Sequence, residues 1–308
     1  MRILIELPTW LGDTVMVTPA IENLSNFFND LEITLIGSIA SIETLQGHPK
    51  VIQSFVLDKN YFNLYWTVKS FGKFDAFLSF RGSIRSKFIK SFISSKKKYQ
   101  FNKNKYKKGH QVEKYNNFVN DLCNLISNPG ELILPVQKKI KDTKKKILGI
   151  NPGANYGNAK RWYPKEFADV AIDLSSHYDV LIFGGEGEKE IALDIEMYLI
   201  EKGISNYQNL CGKTSISELF SQISNLDLFV TGDSGPMHIA AAYKIPTVTI
   251  FGPTNDAETS QWMNEKSVIV KKNLDCQPCM KRVCPLKHHK CMKMVKASDV
   301  LEAVKALN

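Results

Sequence analysis

Short runs rich in Ile, Leu, Val and Phe alternate with longer amphipathic segments, and the alternation occurs twice along the chain. In the first half, Arg2–Leu7 reads as a strand and Thr14–Phe28 as a helix. Glu32–Gly37 is a strand with a helix near Ile39–Gln46, and Val51–Leu57 and Asp75–Phe80 are further strands, each with a helix after it. Residues 96–110 read as a basic loop or an edge strand, and His110–Ile126 as a helix. The pattern restarts at Lys146–Asn151 and continues through a helix at Pro164–Ser176, a strand at Asp179–Gly184 and a helix at Glu188–Lys202. Ser215–Ser224 is a helix, Leu226–Thr231 a strand, Gly235–Tyr243 a helix and Pro246–Phe251 a strand, and Ala297–Leu307 closes the chain as a helix. Alternation of this kind predicts two parallel, doubly wound α/β sheets. Ligands of such sheets bind beyond the carboxyl ends of the strands, so a cleft between two such domains is the expected site.

Length agrees with that division. A chain of 308 residues exceeds the roughly 250–300 at which one core stops growing. The interruption by prolines and lysines at 129–146 is the expected linker. No apolar run approaches the roughly 18 residues of a membrane-spanning helix, and the first residues lack the long apolar stretch of a signal peptide. The expected location is therefore the cytoplasm. The formal charge is +9, and it is uneven: residues 87–114 hold ten lysines against Glu113 alone. Such an excess admits nucleic acid, an anionic membrane or an anionic substrate as partner. Lysine dominates over arginine and no aromatic-interleaved RNA motif is present, so specific nucleic-acid recognition has little support.

Three loops at strand ends carry chemistry. In Pro8-Thr9-Trp10-Leu11-Gly12-Asp13-Thr14, Gly12 permits an unusual turn and Asp13 reads either as a helix N-cap or as a carboxylate facing the cleft. The loop Asn151 to Trp162 is rich in glycine, small and amide residues, including Gly153, and ends in Lys160-Arg161, which suits a close approach to phosphate. Thr231-Gly232-Asp233-Ser234-Gly235-Pro236-Met237-His238 opens a small-residue helix whose N-terminus favours a diphosphate, with His238 either functional or a structural hydrogen-bonding residue. Gly252-Pro253-Thr254 shapes the same rim. No Asp-x-Asp, no Gly-x-x-x-x-Gly-Lys-Ser/Thr and no Gly-x-Gly-x-x-Gly after the first strand occurs.

With those residues in hand, the chain resembles the ADP-heptose–lipopolysaccharide heptosyltransferases of glycosyltransferase family 9. The resemblance rests on Leu11-Gly12-Asp13-x-Val15-Met16, Phe80-Arg81-Gly82-Ser83-x-Arg85, Asn151-Pro152-Gly153-Ala154, Ala159-Lys160-Arg161-Trp162, Asp233 to Ala242 and Phe251-Gly252-Pro253-Thr254. The Lys-Arg-Trp segment, the Asp-Ser-Gly loop and the Cys-rich C-terminus look most like the type II enzymes, which add the second heptose of the inner core. The resemblance implies a GT-B fold, two Rossmann-like domains facing across a cleft. On this reading residues 1–145 bind the acceptor, 146–296 bind the nucleotide sugar, and the helix 297–308 returns to pack on the N-terminal domain. It implies Asp13 as catalytic base, with Lys160 near the sugar diphosphate. Glu188 would lie at the ribose, Thr214 near the adenine, and Asp233, Ser234, Gly235, Met237 and His238 in the diphosphate and heptose loop. Gly12, Thr14, Arg81 and Arg85 fall to the acceptor. An extra residue in Trp162-Tyr163-Pro164 blurs the register and leaves Arg161 as a rival for the role of Lys160.

The implied reaction is inverting transfer from ADP-heptose to a lipid A–Kdo–heptose acceptor, without a cofactor, by a monomer touching the anionic inner face of the inner membrane. Another family 9 enzyme with a different sugar or acceptor, and a basic zinc-ribbon protein that binds nucleic acid, are the competing readings. The latter leaves the glycine-rich loops without a purpose. Cys276, Cys279, Cys284 and Cys291 could hold a structural zinc, but their spacing is short and irregular, and packed free thiols are the simpler expectation.

Overall fold

The structure is a computed structural model that describes residues 1–135 and 145–307. The chain divides into two compact units, Met1–Val136 and Gln137–Asn308. The expected linker at 129–146 overlaps residues 136–144, which lie outside the described residues.

The first unit runs β1 (Arg2–Glu6), α1 (Leu11–Met16), α2 (Thr18–Phe27), β2 (Glu32–Gly37), α3 (Ile39–Leu45), β3 (Val51–Val56), α4 (Tyr61–Ser70), β4 (Phe74–Ser79), α5 (Ile84–Phe92), β5 (Ser95–Gln100) and α6 (Gln111–Cys123). Its strands form one sheet in the order β3-β2-β1-β4-β5, every pairing parallel. β1 is central, and Ile3, Leu4 and Ile5 are fully buried because helices cover both faces. The single helix predicted over 14–28 is two helices broken at Val17. Pro19 explains the break, since it brings no N–H to an i−4 carbonyl and sits well only in a first turn. The basic stretch after 95 begins as the edge strand β5, and His110 caps α6 in a reciprocal pair with Glu113.

The second unit runs β6 (Lys146–Asn151), α7 (Pro164–Leu174), β7 (Tyr178–Ile182), α8 (Lys189–Glu201), β8 (Tyr207–Asn209), α9 (Ile216–Ser224), β9 (Leu228–Gly232), α10 (Gly235–Ala242), β10 (Thr247–Ile250), α11 (Asp256–Thr259), β11 (Ser267–Val270), α12 (Lys290–Lys293) and α13 (Ala297–Ala306). The sheet order is β11-β10-β9-β6-β7-β8, again parallel throughout. The doubly wound α/β expectation thus holds for each unit. β8 and β11, the two edges, are short and were not expected from sequence.

Within the second unit the closing helix α13 packs on α7 and β11, and Val300, Ala303 and Val304 belong to that unit's core. Its apolar face finds a partner there because Trp162, Phe167 and Val295 present a matching apolar surface.

Candidate active site

In the first unit, the loops after β1, β4 and β5 surround a cavity of about 760 Å³ lined by Trp10, Asp13, Arg81, Lys87, Gln100 and Tyr115, among others. Asp13 does not cap α1. Trp10 holds that position and Asp13 lies in the first turn, where the helix N-terminus favours a carboxylate. Tyr115, carried by α6, donates its phenol to Asp13 Oδ1 at 3.2 Å. Burial, with the Asp13 charge added, holds the Tyr115 phenol well above its ordinary range, so it stays a proton donor. Gly12 and Thr14 are buried. Thr14 turns its hydroxyl to the carbonyl of Trp10 at 3.0 Å, which fixes the loop rather than reaching into the cavity.

Beneath the cavity lies Glu6, fully buried at the end of β1. Its carboxylate accepts from Ser79 Oγ at 2.5 Å and Ser86 Oγ at 2.8 Å. Arg81 Nη1 lies 3.5 Å away. Burial pushes this carboxyl above its usual range, while the two hydroxyls and Arg81 oppose the shift. Arg81 lines the cavity and is shared with Glu6. Arg85 does not line it; its guanidinium donates to the carbonyl of Asp58. Only Arg81 of the two thus reaches the cavity, while the charge of Arg85, turned toward the loop before α4, still acts with that of Arg81 on Glu6.

In the second unit, the ends of β6, β9 and β10 converge. Asn151 donates to Thr231 Oγ1 at 3.2 Å and Ser234 Oγ at 3.0 Å, tying the β6 loop to the start of α10. Lys160 Nζ lies 2.6 Å from Asp233 Oδ2, and Thr254 donates to the same oxygen at 2.6 Å. Lys160 also sits over the Tyr156 ring, 5.2 Å from its centre. Arg161 makes no such contact: its Nε is buried without a hydrogen-bond partner. The extra residue after Trp162 has therefore not moved Lys160 out of the loop's polar centre. Ser234 holds the N-cap position of α10 without a side-chain capping bond, Gly235 begins the helix, and Met237 and His238 are buried within it.

Glu188 is buried, and its Oε2 accepts from the Gly185 amide at 2.7 Å. It presses on the β6 loop: a Cβ on Gly153 would lie 2.0 Å from Glu188 Cδ. Gly153 is thus glycine because a carboxylate occupies the adjoining space. Thr214 lies just before α9, partly buried.

The Cys-rich segment has a structural task. Ala159 donates to the carbonyl of Arg282 at 3.1 Å, His289 Nε2 pairs with the carbonyl of Ala159 at 2.9 Å, and Tyr156 donates to the carbonyl of Met280 at 2.8 Å. Trp162 Nε1 donates to the carbonyl of Val295 at 3.0 Å. Cys276, Cys279, Cys284 and Cys291 carry free thiols, and among the described residues no three His, Cys, Asp or Glu side chains are arranged to hold a metal ion.

Tyr115 and Glu6 escaped the sequence reading, which put Thr254 on the rim without its bond to Asp233. Only Glu6 left a signal, a carboxylate inside the otherwise apolar run Ile3-Leu4-Ile5-Glu6-Leu7.

Glycosyltransferase family 9 (heptosyltransferase) matches residues 69–290. Lipooligosaccharide heptosyltransferase 2 of Campylobacter jejuni is 43% identical over 317 residues, covering 100% of this chain and 98% of the relative. The chain belongs to glycosyltransferase family 9. Lipopolysaccharide heptosyltransferase 1 of Campylobacter coli, another family relative, is 25% identical across 100% of this chain and 99% of its own length. Among solved structures, the E. coli ADP-heptose lps heptosyltransferase II superposes with a TM-score of 0.82 at 21% identity, covering 100% of this chain and 98% of that one. That likeness shows the family's two-domain α/β fold.

Proposed function

We propose that the protein is a type II heptosyltransferase, moving L-glycero-D-manno-heptose from ADP-heptose to the first heptose of the lipopolysaccharide inner core. The observation that carries this reading is the difference in identity: 43% to a heptosyltransferase 2 against 25% to a heptosyltransferase 1, both end to end.

Transfer inverts the anomeric carbon. The acceptor hydroxyl forms the new C–O bond as the bond to the diphosphate oxygen breaks, and ADP carries away the electron pair. Asp13 takes the hydroxyl proton, held in place by the Tyr115 phenol. The departing diphosphate gathers negative charge, which Lys160 and the α10 N-terminus are positioned to stabilise. In the free enzyme Lys160 is paired with Asp233, so donor binding gives this lysine a second anionic partner. Glu188 and Thr214 serve the nucleoside, and Gly153, Ser234, Gly235 and His238 the diphosphate and heptose. Arg81 meets acceptor anions in the first-unit cavity. The acceptor is a lipid, so the enzyme works against the inner face of the inner membrane; among the described residues no helix is long and apolar enough to cross it.

Incubation with ADP-heptose and a one-heptose inner-core acceptor tests this reading. Mass spectrometry should show a gain of one heptose. Transfer to an acceptor that carries no heptose, and none to the one-heptose acceptor, would assign the chain to type I instead.

A further inference from the structure

The first unit carries an exposed aromatic face outside the cavity, seated on Phe88 and Phe92, which are partly buried against the core. On α4, Phe62 and Trp66 are 71% and 59% exposed, and with Lys69 they form a stripe at helical spacing. Tyr61 is half exposed beside them. The face is contiguous rather than scattered. The Phe62 and Trp66 rings lie 6.2 Å apart, Trp66 and Tyr65 5.3 Å, Tyr65 and Phe92 of α5 5.0 Å, and Tyr61 and Phe88 of α5 5.2 Å. Ile84, at the start of α5, is 81% exposed. Contiguous apolar exposure of this kind marks a surface that meets something other than water.

The charge around it says what. Between Lys59 and His110 the sequence has twelve lysines and two arginines against one acid, Asp75. Lys59, Lys69 and Lys73 flank the aromatic stripe and are exposed. Rings that insert at the headgroup level, ringed by lysines that reach anionic lipid, are the two signals a peripheral protein needs for stable membrane contact. Continuity points the same way. α5 gives Ile84 to this face and lines the cavity with Lys87 and Lys90. A sugar held in that cavity would have its lipid part in the bilayer beside it. The chain also supplies a contrast. Leu193, Met197 and Ile200 form an exposed apolar stripe on α8, but Glu190, Asp194 and Glu201 share that helix, and an anionic bilayer repels them.

We propose that the α4–α5 face, through Phe62, Trp66, Ile84 and the surrounding Lys59, Lys69 and Lys73, docks the protein on an anionic lipid bilayer. The proposal takes from the functional reading only that the acceptor is lipid-linked.

Sedimentation of the full chain with vesicles tests it, using phosphatidylcholine alone and phosphatidylcholine with about one third phosphatidylglycerol. The protein should bind the anionic vesicles and release in salt. Lys59→Gln/Lys69→Gln/Lys73→Gln should weaken binding by about two orders of magnitude, at roughly fivefold per lysine. Phe62→Ser/Trp66→Ser should weaken it by about tenfold or more. Leu193→Ser/Met197→Ser should bind like the parent. Lipid-borne quenchers should dim the parent's tryptophan emission, and Trp66→Phe should lose most of that quenching. Unchanged binding by both patch variants, or no binding by the parent, overturns the proposal. So does a patch variant that changes the protein's self-association without lipid, which would make the face a contact between copies. Because the readout is binding, it stands or falls apart from the transfer assay. A protein that binds vesicles without transferring heptose keeps the docking face and loses the enzymatic reading, and the reverse result does the opposite.

Discussion

Lys160 Nζ and Asp233 Oδ2 lie 2.6 Å apart, with side-chain exposures of only 11% and 6%. One residue comes from the loop after β6 and the other from the end of β9, so their contact closes two strand ends over one another. Removing one partner of a pair this well shielded leaves a charge without compensation, at a cost of roughly 3 kcal/mol. Lys160→Met and Asp233→Asn should each lower the melting temperature by several degrees, and the double variant should lose less than the sum. Lys160→Met should also weaken ADP binding by about tenfold or more, as isothermal titration would show, because the diphosphate loses its cation.

Variants at Asp13 and Tyr115 test whether binding and chemistry separate as proposed. Asp13→Asn should bind ADP as the parent does and lose about 10²–10⁴-fold in turnover, the range a positioned base supplies. Near-parental turnover would remove Asp13 from the role of base. Tyr115→Phe deletes one donor to the carboxylate, keeps the ring, and should lower kcat with little change in acceptor KM. It should also move the acidic limb of the kcat/KM profile to higher pH, because a hydrogen bond that favoured the ionised form is gone.

Glu6 gives the first unit a pH-dependent term. Its folded pKa lies above the ordinary value of 4.5, raised by burial. The folded state therefore holds the proton more tightly than the unfolded chain. The stability this contributes is full below the unfolded pKa and is lost as pH rises through the folded one. Glu6→Gln removes that titration, so the slope of melting temperature against pH above about 4.5 should shift accordingly. An identical pH profile in parent and variant would show that Glu6 does not titrate differently on folding.

Gly153 and Glu188 test each other. Gly153→Ala places a methyl where Glu188 stands, at 2.0 Å from its carboxyl carbon, and should both destabilise the second unit and weaken nucleotide binding. Glu188→Ala in the same chain frees that space. If the Glu188 side chain is the obstacle, the double variant should melt higher than Gly153→Ala alone.

The doubly wound architecture was legible because each strand is an apolar run set off by amphipathic helices, as in Lys146–Asn151, whose limits match between sequence and structure. Strands at the sheet edges, β8 and β11, are short and only partly buried, so they leave no such run. The loops around Asp13, Lys160 and Asp233 were legible because glycine, proline and charge cluster at strand ends. Their partners were not. Tyr115 lies 102 residues beyond Asp13, and nothing local in an amphipathic helix says that one of its aromatics will meet a distant carboxylate. Arg81 and Arg85 looked equivalent by spacing, and only the turn into α5 sends one toward the cavity and the other to Asp58. The helix 297–306 showed an apolar face but not which domain would cover it.

The brace on the Lys160 loop sets the order in which parts of this protein can be completed during synthesis. Arg282, His289 and Val295 hold Ala159 and Trp162 from far downstream. When Lys160 leaves the ribosome, none of them has been made. The first unit can complete its sheet while translation continues, as domains commonly fold in order of emergence. In the second, the Lys160 loop stays untethered until Arg282, His289 and Val295 have been made. A nascent chain stalled before Arg282 would carry a finished first-unit cavity and a Lys160 loop without its brace.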